Sequence, residues 1–95
     1  MAAMSQRLIA QLGTSCKKMD SGTVDQLGAT VQSGQLPWFV SDFRAALDGG
    51  ITVEGWRAIT QLDIADGDKA QVEKHVRTVW TSISPNEPFP GMRWS

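Results

Sequence analysis

Apolar residues along the chain return every third or fourth position, which is the period of an α-helix and not of a strand. The organising stretch is central: Phe39, Val40, Phe43, Ala46 and Leu47 recur as one apolar stripe. Pro37 suits a first helical position, because its missing N–H would have no intrahelical partner there. Asp48-Gly49-Gly50 then breaks the pattern, and paired glycines supply the left-handed backbone that stops a helix. Thr52 is a good N-cap for the next helix, which carries Trp56 and Ile59. The pattern predicts two short helices over about 37–62, folded back on each other across a glycine turn.

The flanks read the same way. Leu8, Ile9, Leu12, Cys16 and Met19 share one side of a helical wheel, predicting a first helix from about residue 3 to 18. Gly13 weakens it by roughly 1 kcal/mol relative to alanine, and Lys17 and Lys18 sit where cations favour the negative end of a helix. A second helix from about Thr23 to Gln32 carries Val24, Leu27, Gly28 and Val31 on one face, with Gly34 as its stop. Gly28 on that face points to a close helix approach. After the polar run 63–68, Val72, Val76, Val79 and Ile83 follow an i, i+4, i+7, i+11 pattern with Trp80 at its edge. That predicts a helix from about residue 68 to 83, roughly 24 Å long, ended by Ser84-Pro85 because the residue before proline avoids the helical region. Pro88 and Pro90 keep the remainder out of a helix, so it reads as an extended arm bearing Phe89, Met92 and Trp94. No stretch shows sustained strand alternation. The expected architecture is all-α: a compact bundle of about five short helices (1–85) with an extended C-terminal arm (86–95).

Composition narrows the class. A chain of 95 residues with 41% hydrophobic and 20% charged content is one ordinary globular domain. Nine basic against ten acidic side chains leave a net charge of −1, where nucleic-acid binders usually carry a basic excess. The single cysteine, Cys16, cannot close an internal disulfide and fits a reducing compartment. The first residues lack the order of a signal peptide, and no window approaches the roughly 20 apolar residues of a membrane span. The expectation is a soluble protein of the cytoplasm, or of a virion if the chain is viral.

Candidate chemistry is sparse. One histidine and one cysteine, distant in sequence, with no G-x-S-x-G elbow, give no nucleophilic arrangement. His75 lies about 80° from the centre of the last helix's apolar stripe, a boundary position that reads as structural. Asp63, Asp66 and Asp68 cluster, but one serves best as a helix cap and the others as turn formers. Asp48-Gly49-Gly50-Ile51-Thr52 resembles the latter half of an EF-hand loop. That alignment puts Arg44 and Ala46 at the first and third ligand positions and Gly55 in place of the bidentate glutamate, so the ligands are missing. No enzyme activity, metal or cofactor is expected. The same helix pair also resembles a helix-turn-helix: Ala46 and Gly50 have the offset of its small residue and turn glycine, and Ile51, Trp56 and Ile59 fall at core positions. The alternative function is therefore a DNA-binding regulator reading the groove with Arg57, Thr60 and Gln61. Its recognition helix would offer a single positive charge, where phosphate contacts supply most nonspecific affinity.

Protein binding has more positive content. Tryptophan is enriched at binding hot spots, and this small chain has four. Trp56 and Trp80 lie on or beside core stripes. Trp38 points away from the Phe39, Phe43 and Leu47 face, and Trp94 sits in the arm. The arm either closes over its own helices or docks in a groove of another chain. The expected function is a small non-enzymatic interaction module: an adaptor, an inhibitor or an assembly component, such as a part of a phage or virus particle. Its partner-binding residues would be Trp38, Phe89, Met92, Arg93 and Trp94, and its partner another protein or further copies of itself, with neither nucleic acid nor membrane expected.

Overall fold

Side chains that accept the first free backbone N–H groups open four of five helices in the computed structural model, which describes residues 4–94. Ser5 accepts from the Leu8 N–H at 3.3 Å and opens α1 (Gln6–Ser15). Asp20 accepts from Thr23 N–H and opens α2 (Ser21–Gln32). α3 (Phe39–Leu47) is the exception: Trp38 offers no side-chain cap, and a Phe39 N–H bond to the Leu36 carbonyl turns the chain inward. Pro37 therefore lies in that turn and not at the first helical position. Thr52 caps α4 (Val53–Thr60) through Gly55 N–H at 2.9 Å, and Asp68 caps α5 (Lys69–Ile83) through Gln71 N–H at 3.2 Å. Each such cap is worth about 1 kcal/mol. The fold is mainly helical, as expected.

The first helix is shorter than its apolar pattern. It stops at Ser15, and Lys17–Met19 form a separate 3-10 turn in which Lys18 (φ 59°) and Met19 (φ 49°) are left-handed. The reason is adjacent: Asp20 must adopt extended backbone to cap α2, so the helix cannot run on to it. Residue 3, its expected start, lies outside the described residues. Lys17 and Lys18 thus do not close a helix; the Lys18 ammonium instead donates to the Gln61 carbonyl at 2.6 Å. Ile9 was expected in the stripe, but 41% of it is exposed. It sits about 100° round the helix from buried Leu8, beyond the edge of the inward arc.

Phe39, Phe43, Ala46 and Leu47 are buried as their spacing requires, with Trp56 and Trp80 beside them at the centre. The Phe43 and Trp80 rings stack with centroids 6.4 Å apart. α2 crosses α5 at Gly28, where an added Cβ would lie 2.2 Å from Ser82 Oγ and 2.3 Å from the Ser82 carbonyl oxygen. The close approach expected of Gly28 is real. Ser82 Oγ donates to the Val24 carbonyl at 3.0 Å, and Gln32 Nε2 to the Ser82 carbonyl at 2.8 Å.

The central turn holds what periodicity did not reveal. Asp48–Ile51 form a short strand, β1, paired in parallel with β2 (Arg93–Trp94), with Asp48 opposite Arg93 and Ile51 opposite Trp94. Parallel strands need a long crossover, here the whole of α4 and α5. No local alternation marks a pair built from four residues and two. Among the described residues, no helix is long and apolar enough to cross a membrane.

Candidate docking surface

The arm leaves α5 at Ser84 and reverses in a turn closed by the Glu87 N–H on the Ser84 carbonyl at 3.2 Å. It then lies across α5, the C-terminal end of α3 and β1. The Glu87 carbonyl accepts from Trp80 Nε1 at 3.2 Å, so the otherwise buried indole N–H has its partner in the arm. The Glu87 carboxylate pairs with Arg44, whose guanidinium stands 5.3 Å from the centroid of the Trp80 ring. Phe89 lies under the Arg77 guanidinium at 4.5 Å, and Trp94 under the Lys69 ammonium at 5.6 Å. Arg93 Nε reaches Asp48 Oδ1 at 3.4 Å. Phe89, Met92 and Trp94 are all half-buried against the core. Between the end of α3 and Pro90–Arg93 remains an open groove of about 410 Å³.

Four of the five expected binding residues (Phe89, Met92, Arg93 and Trp94) therefore share one face. Trp38 does not join them. It precedes α3, whereas Trp94 pairs beyond the other end of that helix, about 14 Å away along a nine-residue helix. Trp38 is half-buried beneath Arg7, whose guanidinium is 4.8 Å from the ring centroid. Arg7 donates from Nε and Nη2 to the Asp42 carboxylate at 2.7 and 3.1 Å, and Ser5 Oγ donates to it at 2.7 Å. The Arg7 and Ser5 hydrogen bonds hold the Asp42 carboxyl below the usual carboxylate range. The cluster ties the start of α1 to α3. The cations that frame the arm (Arg44, Lys69 and Arg77) had no signal in sequence, since each meets its aromatic or acidic partner only through the fold.

The helix-turn-helix residues are differently placed. Arg57 donates to the Ile64 carbonyl at 3.0 Å and to Asp66 at 2.8 Å, bracing the polar connection that follows α4. Thr60, read as facing outward, is fully buried, its hydroxyl donating to the Trp56 carbonyl at 2.9 Å. That internal bond satisfies the one polar group that would have kept Thr60 at the surface. Gln61 is exposed at the left-handed end of α4. At the EF-hand-like turn, Arg44 faces Glu87, Ala46 is in the core, and Gly55 lies against the Thr52 cap. Of the aspartates, Asp68 is the helix cap and Asp66 the partner of Arg57. Among the described residues, no three His, Cys, Asp or Glu side chains gather as metal ligands.

Neither nucleophilic candidate is freely exposed. Cys16 is fully buried, and burial pushes its thiol up to about 12, which keeps it a thiol at neutral pH. His75 is half-buried on α5, and burial, then the neighbouring Lys74 charge, lower its pKa from the ordinary value. No family model, characterised protein or solved structure matches the chain.

Proposed function

We propose that the protein acts by binding another protein, as an adaptor, inhibitor or assembly component, and that the arm face is its docking surface. The observation that carries this reading is the make-up of that face. Three large half-buried apolar side chains, Phe89, Met92 and Trp94, lie among Arg44, Lys69, Arg77 and Arg93, with Asp48 and Glu87 between them. An apolar centre with a charged rim is the usual anatomy of a protein interface, in which a few aromatic and arginine anchors contribute most of the energy. The engagement of Arg57 and the burial of Thr60 leave the helix-turn-helix reading with less support. The lone buried Cys16 thiol favours a reducing compartment such as the cytoplasm.

The test uses the tagged full chain and a Phe89→Ala, Trp94→Ala variant as baits in extract from the native host, after circular dichroism melting has shown both to be folded. Loss of hot-spot anchors worth about 2 kcal/mol or more predicts a Kd at least roughly 30-fold higher, read as lost partner recovery at bait concentrations below that Kd. Equal recovery with both baits refutes the arm face as the docking surface. Recovery lost instead with Trp38→Ala moves the surface to the other end of α3.

A further inference from the structure

We infer that the arm is an exchangeable element, and that its partner in exchange is a second copy of this chain: residues 87–94 of each copy dock on the α3, β1 and α5 face of the other. The inference rests on the arm face being a docking surface, and names the occupant.

Three features carry it. First, the ties that hold the arm are separate and mostly exposed. The Arg44–Glu87 pair has 52% of each side chain open to solvent, and the Arg93–Asp48 pair 81% and 68%. Exposed ion pairs and cation–aromatic contacts are individually weak, and β2 contributes only two residues of pairing. Second, release of the arm is opposed by the hydrophobic effect. Undocking it exposes the half-buried Phe89, Met92 and Trp94 to water and exchanges the Trp80–Glu87 hydrogen bond for one to solvent. A released arm must return to a surface of the same shape, and a second copy provides one with every partner in place: Trp80, Arg44, Arg77, Lys69 and β1.

Third, only the hinge separates the two arrangements. Within one copy the chain reverses at Ser84–Glu87 through a single turn hydrogen bond, with Pro85 inside the turn. Opening that turn into extended chain keeps every other arm contact and lets the arm reach across, with proline already favouring the extended form. Exchange of an identical element is a low-cost route to a symmetric dimer. A short connection gives the arm an effective concentration of about millimolar at its own groove, so the intact chain is monomeric when dilute and exchanges as its concentration approaches that range.

Two measurements test this. Deleting Pro85 and Asn86 removes the two central residues of the Ser84–Glu87 turn, so the chain cannot reverse there. The arm then cannot return to its own body, and the dimerisation midpoint in sedimentation equilibrium falls from about millimolar towards micromolar, a shift of roughly 10²–10⁴-fold. In the intact chain, one pool carries Asp48→Cys and another Arg93→Cys, positions opposite one another in the β1–β2 register. Mixed at high concentration under mild oxidation, they form the mixed 48–93 disulfide well above either homodimer, and an Asp63→Cys control does not pair with Arg93→Cys. A mixed disulfide no more abundant than the control overturns exchange whatever the deletion variant does. If exchange fails while capture from host extract still needs Phe89 and Trp94, the docking reading stands with a different partner. If exchange occurs and capture does not need them, the arm serves self-association alone.

Discussion

Against α2, the last helix meets its neighbour backbone to backbone: Gly28 leaves no room for even one carbon, and Ser82 both donates and accepts across the contact. Against the arm, the same helix is met by side chains reaching over distance. Trp80 donates to Glu87, Arg77 covers Phe89 and Lys69 covers Trp94. The first contact depends on shape and fails if one atom is added. The second is a set of separate side-chain interactions spread along the helix.

The comparison breaks most severely at the centre that both contacts share. Phe43 is fully buried and stacks on Trp80, so Phe43→Ala should lower unfolding free energy by about 3–5 kcal/mol in urea denaturation. A loss under about 1 kcal/mol there contradicts the packing described. Next is the α2 side. Gly28→Ala drives a Cβ into the Ser82 backbone and should cost about 3 kcal/mol, the upper end of overpacking, measured in the same way. A change below about 1 kcal/mol would mean that the helices separate easily.

The arm side should respond much less. Glu87→Gln removes the charge that pairs with Arg44 but keeps the backbone carbonyl used by Trp80, so less than about 1 kcal/mol is expected. Raising the salt concentration should shrink even that difference, since exposed pairs are screened. A loss at Glu87 rivalling that at Gly28 would erase the distinction between the two sides.

The smallest effects concern pH. Asp42 has a folded pKa below its unfolded one, through Arg7 and Ser5. Its contribution is present above the ordinary carboxylate value of about 4 and is lost as pH falls through the lowered one. His75 has the same sign: its folded pKa is lowered by burial, then by Lys74, so its contribution is full above about 6.5 and falls away on acidification. Melting temperature should therefore decline in two steps on the acid side. Asp42→Asn should flatten the lower step and His75→Leu the upper. An unchanged profile in either variant removes that group from the account.

Some of this was legible in residues alone. The Phe39, Phe43, Ala46 and Leu47 stripe, the Val72, Val76, Val79 and Ile83 stripe, the Thr52 cap and the tight approach at Gly28 all came from spacing and residue type. So did the extended arm after Pro85. These features depend on neighbours within about one helical turn, where rotamer freedom, cap chemistry and proline geometry act directly. The candidate surface was half legible. Phe89, Met92 and Trp94 stand out as large apolar groups on a proline-held segment, while Arg44, Lys69 and Arg77 look like ordinary solvated helix positions.

Only the tertiary structure decided the rest. Asp48–Ile51 is a strand because Arg93 and Trp94 lie beside it, and those residues arrive through two intervening helices. Thr60 is buried because the packing of α4 against the rest of the fold covers it, and Ile9 is exposed because the inward arc of α1 is filled by Leu8, Leu12, Ser15 and Cys16. Trp38 and Trp94 stand at opposite ends of α3 although both are tryptophans without a place in a stripe. Local sequence sets which backbone conformation each segment prefers. Which surfaces then meet depends on contacts between residues dozens of positions apart, and no short-range pattern encodes those.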